Sequence, residues 1–244
     1  MRRLFIVPSI AVALLAFTQP AISAEAKKPN ESTLLTILLR HDQTKTLDEI
    51  QANLAKNHFY ETFPPAGTSI VYWHVVMGVG QILTIKSPHA MINSVQKTLK
   101  KSTVGAFTTE VYPTEDHYPA IEALLKNKSK ESLGDKPTPP GNQIMTVMLK
   151  PNSQSLEDAS RIAASQHLYE RFPPKGASII SWNSATGLGE VIVLHFPAEI
   201  LREVNLPLEQ SAWKAYSTEF FPTYDFYPIA KKTFKLKNTA QESP

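Results

Sequence analysis

The chain is predicted to be an α+β protein made of two tandem ferredoxin-like units, and three observations point there. Phe63-Pro64-Pro65, Gly67, Trp73, Gly78 and Gly80 recur as Phe172-Pro173-Pro174, Gly176, Trp182, Gly187 and Gly189 at one spacing (172 − 63 = 109), the mark of an internal repeat. Each unit reads as strand, helix, strand, strand, helix, strand, which is the ferredoxin-like order. Between them, residues 127–142 are rich in Lys, Ser, Pro and Gly, the composition of a linker.

The first strand is placed at 33–40 in unit one and 144–150 in unit two, where the apolar runs have strand length rather than helix length. Thr36 and Arg40 match Thr146 and Lys150 at a spacing of 110 (146 − 36 = 110). The following loop is therefore one residue shorter in the second unit, a change that loops tolerate. A helix is expected after Thr46 or Ser155, both good N-caps, with Asp48 and Glu49, or Glu157 and Asp158, suiting the first turn. It is expected to run to Phe-Pro-Pro, which no helix can continue through. Segments 68–77 and 81–86 form a hairpin around Gly78-Val79-Gly80, whose glycines supply positive φ, and 177–186 with 190–195 repeat it. No helix N-terminus follows this Gly-x-Gly, so it is no phosphate loop. A second helix follows Pro88 or Pro197, with a kink or early end expected at Pro207. The last strand is placed at 106–112 or 215–221. After it comes an aromatic tail in which Asp116 and Asp225 are expected to fix a turn through side-chain to backbone bonds.

Ahead of the repeats, Arg2-Arg3 precedes an apolar run to Phe17 and small residues around Ser23-Ala24, the pattern of a secretory signal peptide over 1–24. The expected organisation is a signal at 1–24, unit one at 33–126, linker at 127–142, unit two at 143–235 and a tail at 236–244. This predicts a periplasmic or secreted protein with no membrane span after cleavage. The 244 residues contain no cysteine, which excludes disulfides, thiolate metal sites, a cysteine nucleophile and an N-terminal lipid anchor. Loss of Arg2 and Arg3 lowers the formal charge of +3 to +1 (3 − 2 = 1), too little for a nucleic-acid footprint. No nucleic-acid partner is expected; a monomeric pseudo-dimer or a homodimer is.

Alternation within strands sorts two faces. Leu35, Ile37, Leu39, Val71, Trp73, Val75, Met77, Leu83, Ile85, Phe107 and Val111 form an apolar face assigned to the helices, which makes Trp73 and Trp182 core residues. The opposite face carries Arg40, Tyr72, His74, Lys86 and Glu110 in unit one, and Lys150, Ser181, Asn183, His195 and Glu219 in unit two, interleaved with apolar positions such as Ile70.

One such sheet leaves its second face uncovered, and a tandem copy can cover it. At this point the chain resembles the dimeric α+β-barrel superfamily in a fused form, two repeats closing as a pseudo-twofold barrel. The Phe-Pro-Pro-x-Gly, Trp and Gly-x-Gly motifs, with Ala212-Trp213 and Phe221-Pro222-Thr223-Tyr224-Asp225, are similar to those of a group of exported bacterial proteins, which implies no activity. The wider superfamily includes muconolactone isomerases, small monooxygenases and haem-handling proteins, so fold alone leaves the chemistry open.

The resemblance implies a mixed cavity between the sheets, lined by Arg40, Tyr72, His74, Lys86, Glu110, Lys150, Asn183, His195 and Glu219, where a small molecule would bind. It also implies that the second and fourth strands meet across the barrel, bringing His74 near Glu219 and Asn183 near Glu110. His74 and Glu219 could then act as an acid and base pair, with the other seam a degenerate copy. His58 with Glu61 and His167 with Glu170 share a helix face at a spacing of three, the only candidates for a metal; no metal site is expected. His74 and His195 are the histidines a haem would need, but nothing else supports haem and no cofactor is expected. The leading expectation is an exported small-molecule binder without a firm catalytic signature. The alternatives are a cofactor-free isomerase or monooxygenase, and a structural envelope protein with a filled interior.

Overall fold

A computed structural model describes residues 32–132, 138–153 and 155–234; the expected signal at 1–24 and tail at 236–244 lie outside the described residues. The chain runs β1 (Ser32–His41), α1 (Leu47–Lys56), α2 (Phe59–Thr62), β2 (Ser69–Val76), β3 (Gly80–Pro88), α3 (Ile92–Ser102), β4 (Phe107–Asp116) and α4 (Tyr118–Ile121). The order then recurs as β5 (Asn142–Pro151), α5 (Leu156–Ser165), α6 (Leu168–Arg171), β6 (Ser178–Ala185), β7 (Gly189–Pro197), α7 (Leu201–Ser211), β8 (Tyr216–Asp225) and α8 (Tyr227–Phe234).

Local chemistry sets these boundaries. The Thr46 side chain accepts from Glu49 N–H while the Glu49 carboxylate accepts from Thr46 N–H, closing a capping box that satisfies two otherwise orphaned donors. Ser155 accepts from Asp158 N–H in the same place. The single helix expected up to Phe-Pro-Pro is in fact two. His58 and His167 adopt left-handed backbone, φ 54° and 63°, a region that His tolerates better than most residues. Each breaks the helix into a longer and a shorter piece. In contrast, α7 runs through Pro207 to Ser211 rather than ending early, with Val204 and Leu208 fully buried on either side; tertiary packing holds a helix that local propensity alone would interrupt.

The eight strands close into one barrel in the order β1-β3-β2-β8-β5-β7-β6-β4. All neighbours are antiparallel, and the seams between the halves are β2 with β8 and β4 with β6. Both fourth strands are longer than expected, because the supposed aromatic tails are the seam itself: Thr114 to Asp116 pair with Ala185 to Asn183, and Thr223 to Asp225 with Val76 to His74. The prolines in these stretches need donate nothing. Pro113 and Pro222 accept from Thr186 N–H and Met77 N–H of the opposite half, each at 2.9 Å.

The helices cover the outside of the barrel in two apolar cores, one around Trp73 and one around Trp182. Two positions on the expected face are corrected. A β-bulge between Ile70 and Tyr72 shifts the alternation by one, so Ile70 rather than Val71 joins the outer core. Met77 is 57% exposed at the hairpin tip, where the strand has already ended.

Candidate functional site

The inward face of the barrel is built in layers. At one end Leu38, Val76, Val79, Ile82, Met148 and Val191 form an apolar plug, with Tyr112, Leu188 and Phe221 against it. Above it Thr114 donates to Thr36 at 2.9 Å in the first half and Thr223 to Thr146 at 2.8 Å in the second. These hydroxyl pairs let polar side chains sit inside without an unpaired group. At the other end Ile144, Ile180 and Val193 cluster with Tyr72. An eight-stranded barrel is just wide enough to be filled by side chains or to hold one small ligand, and much of this interior is side chain rather than the open cavity expected.

The polar layer lies between the plug and the Tyr72 end. Asn183 Nδ2 donates across the halves to Thr84 Oγ1 at 3.3 Å. His74 occupies the matching position in the first half (183 − 74 = 109) and is 3% exposed. It makes no hydrogen bond to another described residue. The Tyr72 ring stacks on His74 with centroids 5.9 Å apart, and the Tyr72 hydroxyl donates to the Ile180 carbonyl at 3.0 Å. Burial holds the His74 pKa down to about 4, so the imidazole is neutral at pH 7, with one donor and one acceptor nitrogen. Burial, and then the charge of Asp116, push the Tyr72 phenol well up; it stays a donor.

The linker shapes the rim at this end. Ser129 and Glu131 bond the backbone of Ile179, at 2.8 and 2.9 Å, beside the bulge between Ile179 and Ser181. Glu131 Oε2 reaches His195 Nδ1 at 2.8 Å, and Asn142 lies 3.1 Å from His195 Nε2. Lys130 Nζ lies 3.8 Å from Asp116. His195 is thus on the inward face as expected, but both ring nitrogens are engaged. Lys86 stands on the same rim, paired in register with Leu34 and Ser69.

The proposed acid and base pair does not form. His74 lies opposite Asp225 in the seam, and Glu219, six residues back along β8 (225 − 219 = 6), is about 20 Å away along the strand. It is exposed and faces Met148. Asn183 likewise faces Asp116 rather than Glu110. Alternation fixes the face a side chain takes, but the offset between strands of different halves is set by tertiary pairing. Glu110 instead joins Arg40, with Arg40 Nε donating to Glu110 Oε1 at 2.9 Å, and accepts from the Tyr112 hydroxyl. Those two bonds, Tyr112 first, hold the Glu110 carboxyl below the usual range. Arg40, Glu110, Lys150 and Glu219 all belong to the plugged end, and the apolar cluster separates them from His74.

His58 meets Glu61 at 3.1 Å and His167 meets Glu170 at 2.9 Å, all four exposed. Each pair sits in the outer helical layer of its own half, and no group of three or more metal-ligating side chains comes together among the described residues. Asp116 and Asp225 do fix turns, accepting from Tyr118 N–H and Tyr227 N–H at 3.0 Å. Outside the barrel, Lys126, Arg171, Lys175, Pro173 and Pro207 border a groove of about 590 Å³. The rim residues Glu131, Asn142 and Lys130 escaped sequence reasoning, because linker composition reads as solvated chain.

No protein-family model matches the chain, and no curated protein matches it significantly. Among solved structures it is similar to a protein from Lactobacillus acidophilus provisionally described as a monooxygenase. That match has 8% identity and a TM-score of 0.37, and covers 80% of this chain and 93% of the other. It is also similar to variants of a chlorite dismutase from Candidatus Nitrospira defluvii. One, in complex with cyanide, has 8% identity, a TM-score of 0.47 and coverage of 83% and 95%; another has 10% identity, a TM-score of 0.46 and coverage of 84% and 96%. At such identities and scores neither a family nor a chemistry is transferred from them.

Proposed function

We propose that this is an exported small-molecule-binding protein, formed by duplication of a ferredoxin-like unit, that holds a small polar ligand beside His74. The observation that carries the reading is an imidazole 3% exposed without a hydrogen-bond partner among the described residues. Buried polar side chains are otherwise almost always paired, and a guest supplying one acceptor and one donor would complete this one. The guest would lie between the plug and Tyr72. It would enter at the rim of Lys86, Asp116, Lys130 and His195, past Tyr72. Export, to the periplasm or the medium, rests on the Arg2-Arg3 and apolar pattern of the N-terminus.

A thermal-shift screen with small amides, carboxylic acids and phenols tests the site. A compound that stabilises the wild-type chain should lose at least about tenfold in affinity with His74→Ala, as expected when a buried hydrogen bond is removed. Arg40→Ala, at the plugged end, should bind normally. Equal affinity of the wild-type and His74→Ala chains would move the ligand elsewhere.

A second reading, a cofactor-free isomerase or oxygenase, draws on the same residue, since a base must be unprotonated at working pH. A pKa of about 4 makes His74 a weak base, and its expected carboxylate partner is at the far end. Binding is therefore the better-supported reading.

A further inference from the structure

At one position the two halves differ by a single functional group sealed in the outer core. In the first half Gln81 Oε1 accepts from the Trp73 indole N–H at 2.8 Å, and Gln81 Nε2 lies 3.5 Å from His41 Nε2. In the second half Glu190 takes that place (190 − 81 = 109), with Oε2 accepting from the Trp182 indole N–H at 3.1 Å. Glu190 is 3% exposed, and its Oε1 is buried with no partner. Where β1 carries His41, β5 carries Pro151, which offers neither a ring nitrogen nor a backbone N–H.

The polar groups packed around Glu190 are serine and tyrosine hydroxyls and one imidazole. Ser184 of β6 is its register partner and pulls its pKa down, against the larger effect of burial. Tyr169 of α6 and Tyr216 of β8 are buried phenols held protonated by burial, and the Tyr216 hydroxyl lies 3.1 Å from Ser160 Oγ of α5. His117, after β4, packs its ring 6.3 Å from that of Trp182; burial lowers its pKa, against the charges of Asp116 and Glu115. No Lys, Arg or His forms an ion pair with Glu190 among the described residues.

We propose that Glu190 is a pH-responsive latch of the second half: protonated, it closes the core around Trp182, and ionised, it loosens the β6–β7 hairpin. A protonated carboxyl has the shape of the Gln81 amide and presents the same acceptor to the indole. A carboxylate there has an oxygen with neither donor nor cation, a costly state in a low-dielectric core. Burial pushes the Glu190 carboxyl up to about 7, against the pull of Ser184 and of the bond from Trp182. The same hairpin contributes Leu188 and Val191 to the apolar plug, so its loosening opens the plugged end of the barrel. This latch is independent of any ligand at His74.

Thermal and urea unfolding of the full chain, compared with Glu190→Gln between pH 4.5 and 8, tests it. The folded value lies above the unfolded value of 4.5, so the stabilisation is complete below 4.5 and lost by the time pH passes about 7. Relative to the Gln variant, the wild-type unfolding constant should rise by up to about tenfold per pH unit across that window, then level off. Parallel profiles for the two chains overturn the proposal. Should the variant fail to fold, hydrogen exchange on the wild-type chain decides, with amides of β6–β7 measured against those of β2–β3 at each pH. Selective loss of protection in the second hairpin supports the latch, and equal change in both hairpins overturns it.

Discussion

His74 shows how burial converts a titratable residue into a stability term. Its pKa is about 4 in the fold against 6.5 outside it, so its contribution is present above pH 6.5 and is lost as pH falls through 4. With about 1.36 kcal/mol per pKa unit, that contribution is of order 3 kcal/mol. Urea unfolding should show the wild-type chain losing about that much more stability than His74→Gln between pH 6.5 and pH 4; identical acid limbs would mean the imidazole is solvated. The slope is opposite in sign to that of Glu190, which is why each is read as a difference from its amide variant. At this scale alternation alone put Tyr72, His74 and Asn183 on the inward face. It misassigned Val71, because a bulge gives no signal in the apolar pattern, and gave no hint of Glu131, which reaches His195 from a linker.

Among the elements, the two hairpins were the most legible, since Gly78 and Gly80 with Gly187 and Gly189 mark both. Their four glycines nevertheless differ in what they do. A Cβ on Gly80 would stand 2.2 Å from the Leu39 carbonyl oxygen, and one on Gly189 2.3 Å from that of Leu149, while one on Gly78 meets nothing within 4 Å. All three have positive φ, which costs an alanine about 1–2 kcal/mol. Gly78→Ala should therefore lose about that much in chemical denaturation. Gly80→Ala and Gly189→Ala must also displace backbone of the neighbouring strand and should lose clearly more; equal losses at all three sites would show that conformation alone sets the cost. The fourth strands were read too short because Pro113 and Pro222 resemble strand ends. The acceptor role that keeps them in the ladder depends on a hairpin of the other half, which no local pattern reveals.

Across the whole molecule, the repeat spacing and the order of elements were readable, and the barrel they form makes one interior from two halves. The Asn183 to Thr84 bond, the Tyr72 to Ile180 bond and the apolar plug all join residues of both halves. What was not readable was the offset of the seams, and with it the partner of His74; a shift of six residues along β8 separates the expected pair from an imidazole with no hydrogen-bond partner among the described residues. That imidazole, in a layer bounded by the plug and by Tyr72, is the feature a bound molecule would explain. Native mass spectrometry of the chain isolated from its own host measures this most directly. A small molecule should travel with the wild-type protein, leave on denaturation, and be missing from His74→Ala prepared in parallel. Wild-type and variant chains that both appear at bare protein mass would contradict a ligand at His74.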